Sequence, residues 1–103
     1  MGAKEAVVEQ HLVKRVKDAG GIAFKFTSPG RRGVPDRLVV LPNMILFVEC
    51  KAEGGTLTTG QRKEHQRLQN LGMTVATVYS RSDVNDLMTV IYEAIEMRKD
   101  FEI

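Results

Sequence analysis

Asp36-Arg-Leu-Val-Val-Leu41-Pro-Asn-Met44-Ile-Leu-Phe-Val-Glu-Cys-Lys51 is the stretch on which the fold turns. Arg37–Leu41 is apolar and β-branched, so it reads as a strand. Pro42-Asn43 breaks it, and Ile45–Lys51 reads as the next strand, so the two form a hairpin. In the later strand Ile45, Phe47, Glu49 and Lys51 share one face, and Leu46, Val48 and Cys50 share the other. Both faces are apolar as far as Val48, which predicts a central strand covered on both sides. A carboxylate and an ammonium then appear two residues apart at the strand's C-terminal end, where open α/β sheets commonly place their ligand crevices. Taken alone, such a pair is more often a surface ion pair. Asp36 shifts the reading, because a hairpin turning near Pro42-Asn43 sets residue 36 opposite roughly residues 49–51. Asp36 and Glu49 are therefore expected neighbours. Two adjacent carboxylates cost free energy unless positive charge sits between them. Lys51 offsets part of that cost, and a divalent cation does so better. Mg²⁺ is typically held by one or two carboxylates with water and phosphate oxygens. The Cys50 carbonyl could add a ligand, while its side chain points the other way and is expected to be buried and inert.

Outward from the hairpin, the chain alternates helical and strand patterns. Val8, Leu12, Val13, Val16 and Ala19 recur at helical spacing over Ala3–Ala19, and Gly20-Gly21 stops the run. Ile22–Phe26 alternates as a short strand, and residues 27–35, Thr-Ser-Pro-Gly-Arg-Arg-Gly-Val-Pro, form a loop. Beyond the hairpin, Ala52–Leu57 is a second loop. Thr58 and Gln61 have capping-box spacing and open a helix to about Leu71, with Gly72 as its stop. Thr74–Tyr79 reads as a fourth strand. Ser82, with Asp83 and Asp86, is expected to cap a last helix with Val84, Leu87, Met88, Ile91 and Ile95 inside. The order α-β-β-β-α-β-α over residues 1–103 is a single α/β domain, a mixed sheet flanked by helices.

Of the 103 residues 43% are hydrophobic, which is too many for a disordered chain, and one cysteine cannot make a disulfide framework. There is no run of about 18 apolar residues and no apolar leader, so no membrane span is expected and the setting is read as reducing and cytoplasmic. The net charge of +2 is unevenly spread: residues 1–37 carry +4 and residues 81–103 carry −3. A basic front half suits a polyanionic partner. Ser28, Arg31 and Arg32 lie in the loop before Asp36, within reach of phosphates there. Lys14, Arg15, Lys17 and Lys25 could track a nucleic-acid backbone farther out, and contacts of this kind position without reading sequence. Glu9 shares a helix face with Leu12, Val13 and Val16, so it turns inward, where an acid seldom sits unpartnered. Gln61 is either the reciprocal residue of the capping box or a site residue, or both. His11 and His65 are read as surface or helix-packing residues.

Taken in order, Glu9, Gly33-Val-Pro-Asp36, Glu49-Cys-Lys51 and Gln61 resemble the PD-(D/E)XK nuclease superfamily. Within it, the compact size and the Gly-x-Pro-Asp loop are most similar to the stand-alone VRR-NUC domains of bacteriophages. The spacing also resembles that of archaeal Holliday-junction resolvases. The nearest match to a Val-Arg-Arg signature is Val78-Tyr-Ser-Arg81. The resemblance implies a restriction-endonuclease-like core and a metal-dependent endonuclease, bacterial, phage or prophage encoded, acting on branched DNA such as four-way junctions. It implies that Asp36 and Glu49 bind Mg²⁺ or Mn²⁺ with the Cys50 carbonyl, and that Glu9 completes the acidic site directly or through water. Lys51 would act on the attacking water and the phosphate, and Gln61 would position Lys51 or a water. It also implies a homodimer, with the last helix (Met88, Tyr92, Met97, Phe101) or the fourth-strand edge as the contact. The alternative is a non-catalytic DNA-binding or assembly module of the same fold; such a module would be expected to have lost Asp36, Glu49 or Lys51, and all three are present.

Overall fold

In a computed structural model of the chain, residues 3–101 are described. The elements are α1 (Ala3–Asp18), β1 (Ile22–Lys25), β2 (Arg37–Leu41), β3 (Met44–Cys50), α2 (Thr59–Asn70), β4 (Val75–Val78) and α3 (Arg81–Phe101). This is the expected order. The sheet runs β1-β2-β3-β4, antiparallel across the first two pairings and parallel between β3 and β4. Pro42 and Asn43 connect β2 to β3 directly, with Asn43 in the left-handed region at φ 63°, a conformation asparagine tolerates better than most side chains. Register then follows from the tight turn: Leu41 pairs with Met44 and Arg37 with Val48.

Alternation along the strands sends Ala23, Val39, Leu41, Leu46, Val48, Cys50 and Val78 to one face. There they form the core with Val8, Leu12 and Val16 of α1 and Val84, Met88 and Ile91 of α3. α2 lies on the opposite face, against β4 and the Glu49 end of β3. Ile45, at the other end of β3, is therefore exposed on that face. The expectation of a strand covered on both sides holds for Phe47, Val48 and Glu49 and fails at Ile45, because one twelve-residue helix does not reach across the whole face.

Two helix starts repay comparison. At α2 the capping box is present: Thr58 Oγ1 accepts from the Gln61 N–H at 3.1 Å, and Gln61 Oε1 accepts from the Thr58 N–H at 2.9 Å. At α3 the cap is Ser80 and not Ser82. Ser80 Oγ accepts from the Asp83 N–H at 3.0 Å, and Asp83 Oδ2 accepts from the Tyr79 N–H at 2.9 Å. Ser80 and Asp83 have the three-residue spacing that lets each serve an orphan amide at this end, which Ser82 lacks. Among the described residues no helix is long and apolar enough to cross a membrane.

Candidate active site

The site grows from the open end of the β2–β3 hairpin. Arg37 pairs with Val48, so continuing the ladder by one residue sets Asp36 across from Glu49, on the α2 side of the sheet. On the β1 side the ladder continues, the Phe26 N–H donating to the Asp36 carbonyl at 2.8 Å, and on the β3 side the Cys50 N–H donates to the Asp36 side chain, to Oδ2 at 2.9 Å. A strand-end amide thus fixes the Asp36 carboxylate beside the Glu49 side chain. The loop before Asp36 is seated on α2. Gly33 has φ +83°, and a side chain there would meet the Gly60 carbonyl at 2.7 Å, so only glycine lets the loop approach the start of α2 this closely.

Glu49 is 2% exposed. Burial is the main reason its carboxyl is pushed up to about 8, and the neighbouring Asp36 carboxylate adds to the rise against an opposing pull from Lys51. Lys51 lies on the same strand face two residues on, partly exposed, its N–H donating to the Val78 carbonyl at 2.9 Å. Cys50 points into the core, where burial pushes its thiol up to about 12, so it is inert as expected.

These residues fit a divalent cation. Glu49 Oε1 is buried and takes no hydrogen bond, and a divalent cation would supply the positive charge that lets Glu49 ionise beside Asp36. No group of three or more His, Cys, Asp or Glu side chains is placed to hold a metal among the described residues. Asp36 and Glu49 could therefore supply two side-chain oxygens, with backbone, water and phosphate completing the set, as suits Mg²⁺ or Mn²⁺.

Glu9 requires a correction to its expected place. It is buried, as read, but not with the acidic pair. Its Oε1 accepts from Arg37 Nε and lies 2.8 Å from Arg37 Nη2 and 3.8 Å from Lys25 Nζ. Arg37 follows Asp36 directly and therefore points to the α1 side of the sheet, taking Glu9 with it. The α1 acid whose charge reaches Glu49 is Glu5, one turn earlier, which no sequence pattern singled out. Gln61 performs the capping role, its oxygen held by the Thr58 N–H.

The expected phosphate contacts separate into two groups. Arg31 is tied to the buried Glu64 at 2.6 Å, and Ser28 accepts from the Arg31 N–H through its carbonyl, so both shape the loop. Arg32 is exposed beside them. Lys14 pairs with Asp18 at 2.8 Å, and Arg15 donates to Asn85 Oδ1 at 2.6 Å, fastening α1 to α3. Lys17 and Lys25 are exposed. A basic group that the sequence reading passed over lies on α2, where Arg62, Lys63 and Arg67 line one groove with Gln66, Asn70 and Leu71. Of the two readings of His65, surface or helix-packing, the second holds: it is buried under α2 over the site, its Nε2 3.6 Å from Glu49 Oε1, and burial above all lowers its pKa.

No protein-family model matches the chain. It is 53% identical over 89 residues to a protein named "Putative nuclease p44" from Acyrthosiphon pisum secondary endosymbiont phage 1, spanning 85% of this chain and 91% of that protein. Among solved structures it is similar to a VRR_NUC domain, with a TM-score of 0.81 and 36% identity over 85% of this chain and 97% of the other. The Gly33-Val-Pro-Asp36 loop, the Glu49-x-Lys51 strand end and these two likenesses agree: the chain belongs to the VRR-NUC family of phage nucleases, within the PD-(D/E)XK superfamily.

Proposed function

We propose that the chain is a Mg²⁺- or Mn²⁺-dependent endonuclease that hydrolyses phosphodiester bonds in branched DNA, four-way junctions among them, and that it works as a homodimer. The observation that supports this most is the Asp36–Glu49 pair, with Glu49 buried and Lys51 on the same strand face, in a member of a nuclease family. When bound, the cation supplies positive charge against the phosphate oxygens as they gain charge. Asp36 and Glu49 hold it, and the Cys50 N–H keeps the Asp36 carboxylate turned toward Glu49. Lys51 presents its ammonium to the attacking water and to a non-bridging oxygen, neutralising charge as the water oxygen bonds to phosphorus and the bond to the leaving sugar oxygen breaks. Gln61 closes the capping box at the start of α2, where the Gly33 loop packs against the Gly60 carbonyl.

Arg32 and the α2 bases Arg62, Lys63 and Arg67 carry the phosphate backbone past the acids. Such contacts are blind to sequence, so selectivity rests on the shape of the DNA. A two-fold assembly suits a junction cut on two strands. The test is cleavage of a labelled four-way junction, a flap and a linear duplex, each with Mg²⁺ or with EDTA. The expected result is cutting of the junction or flap in Mg²⁺ alone. Cutting confined to linear duplex removes the branched-DNA reading and leaves the nuclease, and cutting undiminished by EDTA removes the metal.

A further inference from the structure

Among the described residues, the buried side-chain nitrogen and oxygen atoms without a hydrogen-bond partner are Glu49 Oε1 and His65 Nε2. They face each other at 3.6 Å, which is beyond hydrogen-bond length. Leaving a buried polar atom unsatisfied is costly; here two such atoms are turned toward one another. Orphaned buried groups of this kind need a reason, and a functional role is a common one. His65 also sits 5% exposed on a helix whose inner face is polar at this point, with Glu64 beside it.

We propose that His65 is a positioning residue for the metal-binding carboxylate: its ring nitrogen Nε2 is the partner that fixes Glu49 Oε1, while the imidazole is itself held by the Gly33 backbone, leaving the other oxygen to the cation. The inference rests on the reading of Asp36 and Glu49 as metal ligands. An ionised Glu49 sealed between the sheet and α2 needs a donor on each oxygen that the cation does not take. His65 Nε2 is the nitrogen that faces Oε1, and a small turn of the imidazole brings the two from 3.6 Å into bonding range. The family motif read from the sequence ends at Gln61. His65 follows one helical turn later on the same face, so the stretch Gln61–His65 serves the site at two points, the helix start and the carboxylate.

Outer partners of metal-binding carboxylates and imidazoles typically change metal affinity by about 10–100-fold when removed. The experiment is calorimetric titration of the full chain with Mn²⁺ alone, comparing wild type, Asp36→Asn, His65→Leu, His65→Gln and His65→Asn, with a melting curve for each. The glutamine amide nitrogen reaches the place of Nε2 and the asparagine nitrogen does not. His65→Leu and His65→Asn are expected to bind Mn²⁺ about 10–100-fold more weakly, with His65→Leu melting no lower than wild type. His65→Gln is expected to return to within a few-fold of wild type. A residue that only packed the helix would change the melting temperature and not separate glutamine from asparagine. Equal Mn²⁺ affinity in His65→Leu and wild type overturns the inference, as does equal affinity in the Gln and Asn variants, while loss in Asp36→Asn keeps the metal site. Absence of Mn²⁺ binding in the wild type overturns both the metal site and the inference.

Discussion

A carboxyl group sealed from water beside a second carboxylate keeps its proton to about pH 8, where an ordinary glutamate has lost it by about 4.5. That raised value has a sign for stability. Between the two pKa values the folded chain binds more protons at Glu49 than the unfolded chain does, so stability falls as pH rises through this range. His65 acts in the opposite direction. Its lowered pKa means that its contribution is lost as pH falls below the ordinary histidine value of 6.5. Above pH 6.5 the Glu49 slope therefore stands alone. In EDTA, the melting temperature is expected to fall between pH 6.5 and 8 by about 5 °C or more, the shift that about 1 kcal/mol gives in a domain of this size. Glu49→Gln is expected to flatten the curve. A wild-type curve already flat over that range, followed by circular dichroism, contradicts the placement of Glu49.

At the scale of elements, the Glu9–Arg37 ion pair fastens α1 to the first residue of β2 and so holds Asp36, one residue before it, at the mouth of the hairpin. Removing one partner of a buried pair costs about 3–5 kcal/mol. Glu9→Gln is thus expected to lower stability by an amount of that order in urea unfolding, yet to bind Mn²⁺ within a few-fold of wild type once folded. A variant that is stable but blind to Mn²⁺ would return Glu9 to the metal. The pair also shows where sequence reading stops. The hairpin was legible because alternation, a Pro-Asn break and β-branched runs all act within sixteen residues. The α2 cap was legible because Thr58 and Gln61 satisfy each other locally. Glu9 was seen to turn inward, but periodicity gives the inner face of a helix and not which face of the sheet it meets. Arg37 points to α1 because it is one residue out of phase with Asp36, and that decides the partner. His65 was illegible for the same reason: only the packing of α2 over the end of β3 shows what its ring faces.

For the whole molecule, one face of the sheet remains partly open. Ile22 and Ile45 both lie opposite Val40, and they are 57% and 58% exposed, with Phe24 beside them at 49%. Met88, offered as a dimer contact from its place in α3, is fully buried in the core and is excluded. Tyr92 and Met97 are exposed on α3, and the Phe101 side chain lies outside the described residues. β4 is an edge strand, as the other candidate contact required. A contiguous apolar surface on so small a domain favours association, and light scattering at micromolar concentration is expected to give twice the chain mass of 11.5 kDa. A mass of one chain removes the homodimer. The basic side of the molecule is Arg32 with the exposed face of α2, while Lys14 pairs with Asp18 within α1 and Arg15 ties α1 to Asn85 of α3. All of this surface serves one proposed chemical centre, and Lys51 is the group there with the least structural reason to be present. Single-turnover cleavage of a labelled four-way junction in Mg²⁺ by wild type and Lys51→Ala therefore tests the account most directly. The expected result is at least about a hundred-fold loss of rate, of the size seen when one stabiliser of a charged transition state is removed, with junction binding retained. Cutting by Lys51→Ala at the wild-type rate contradicts it.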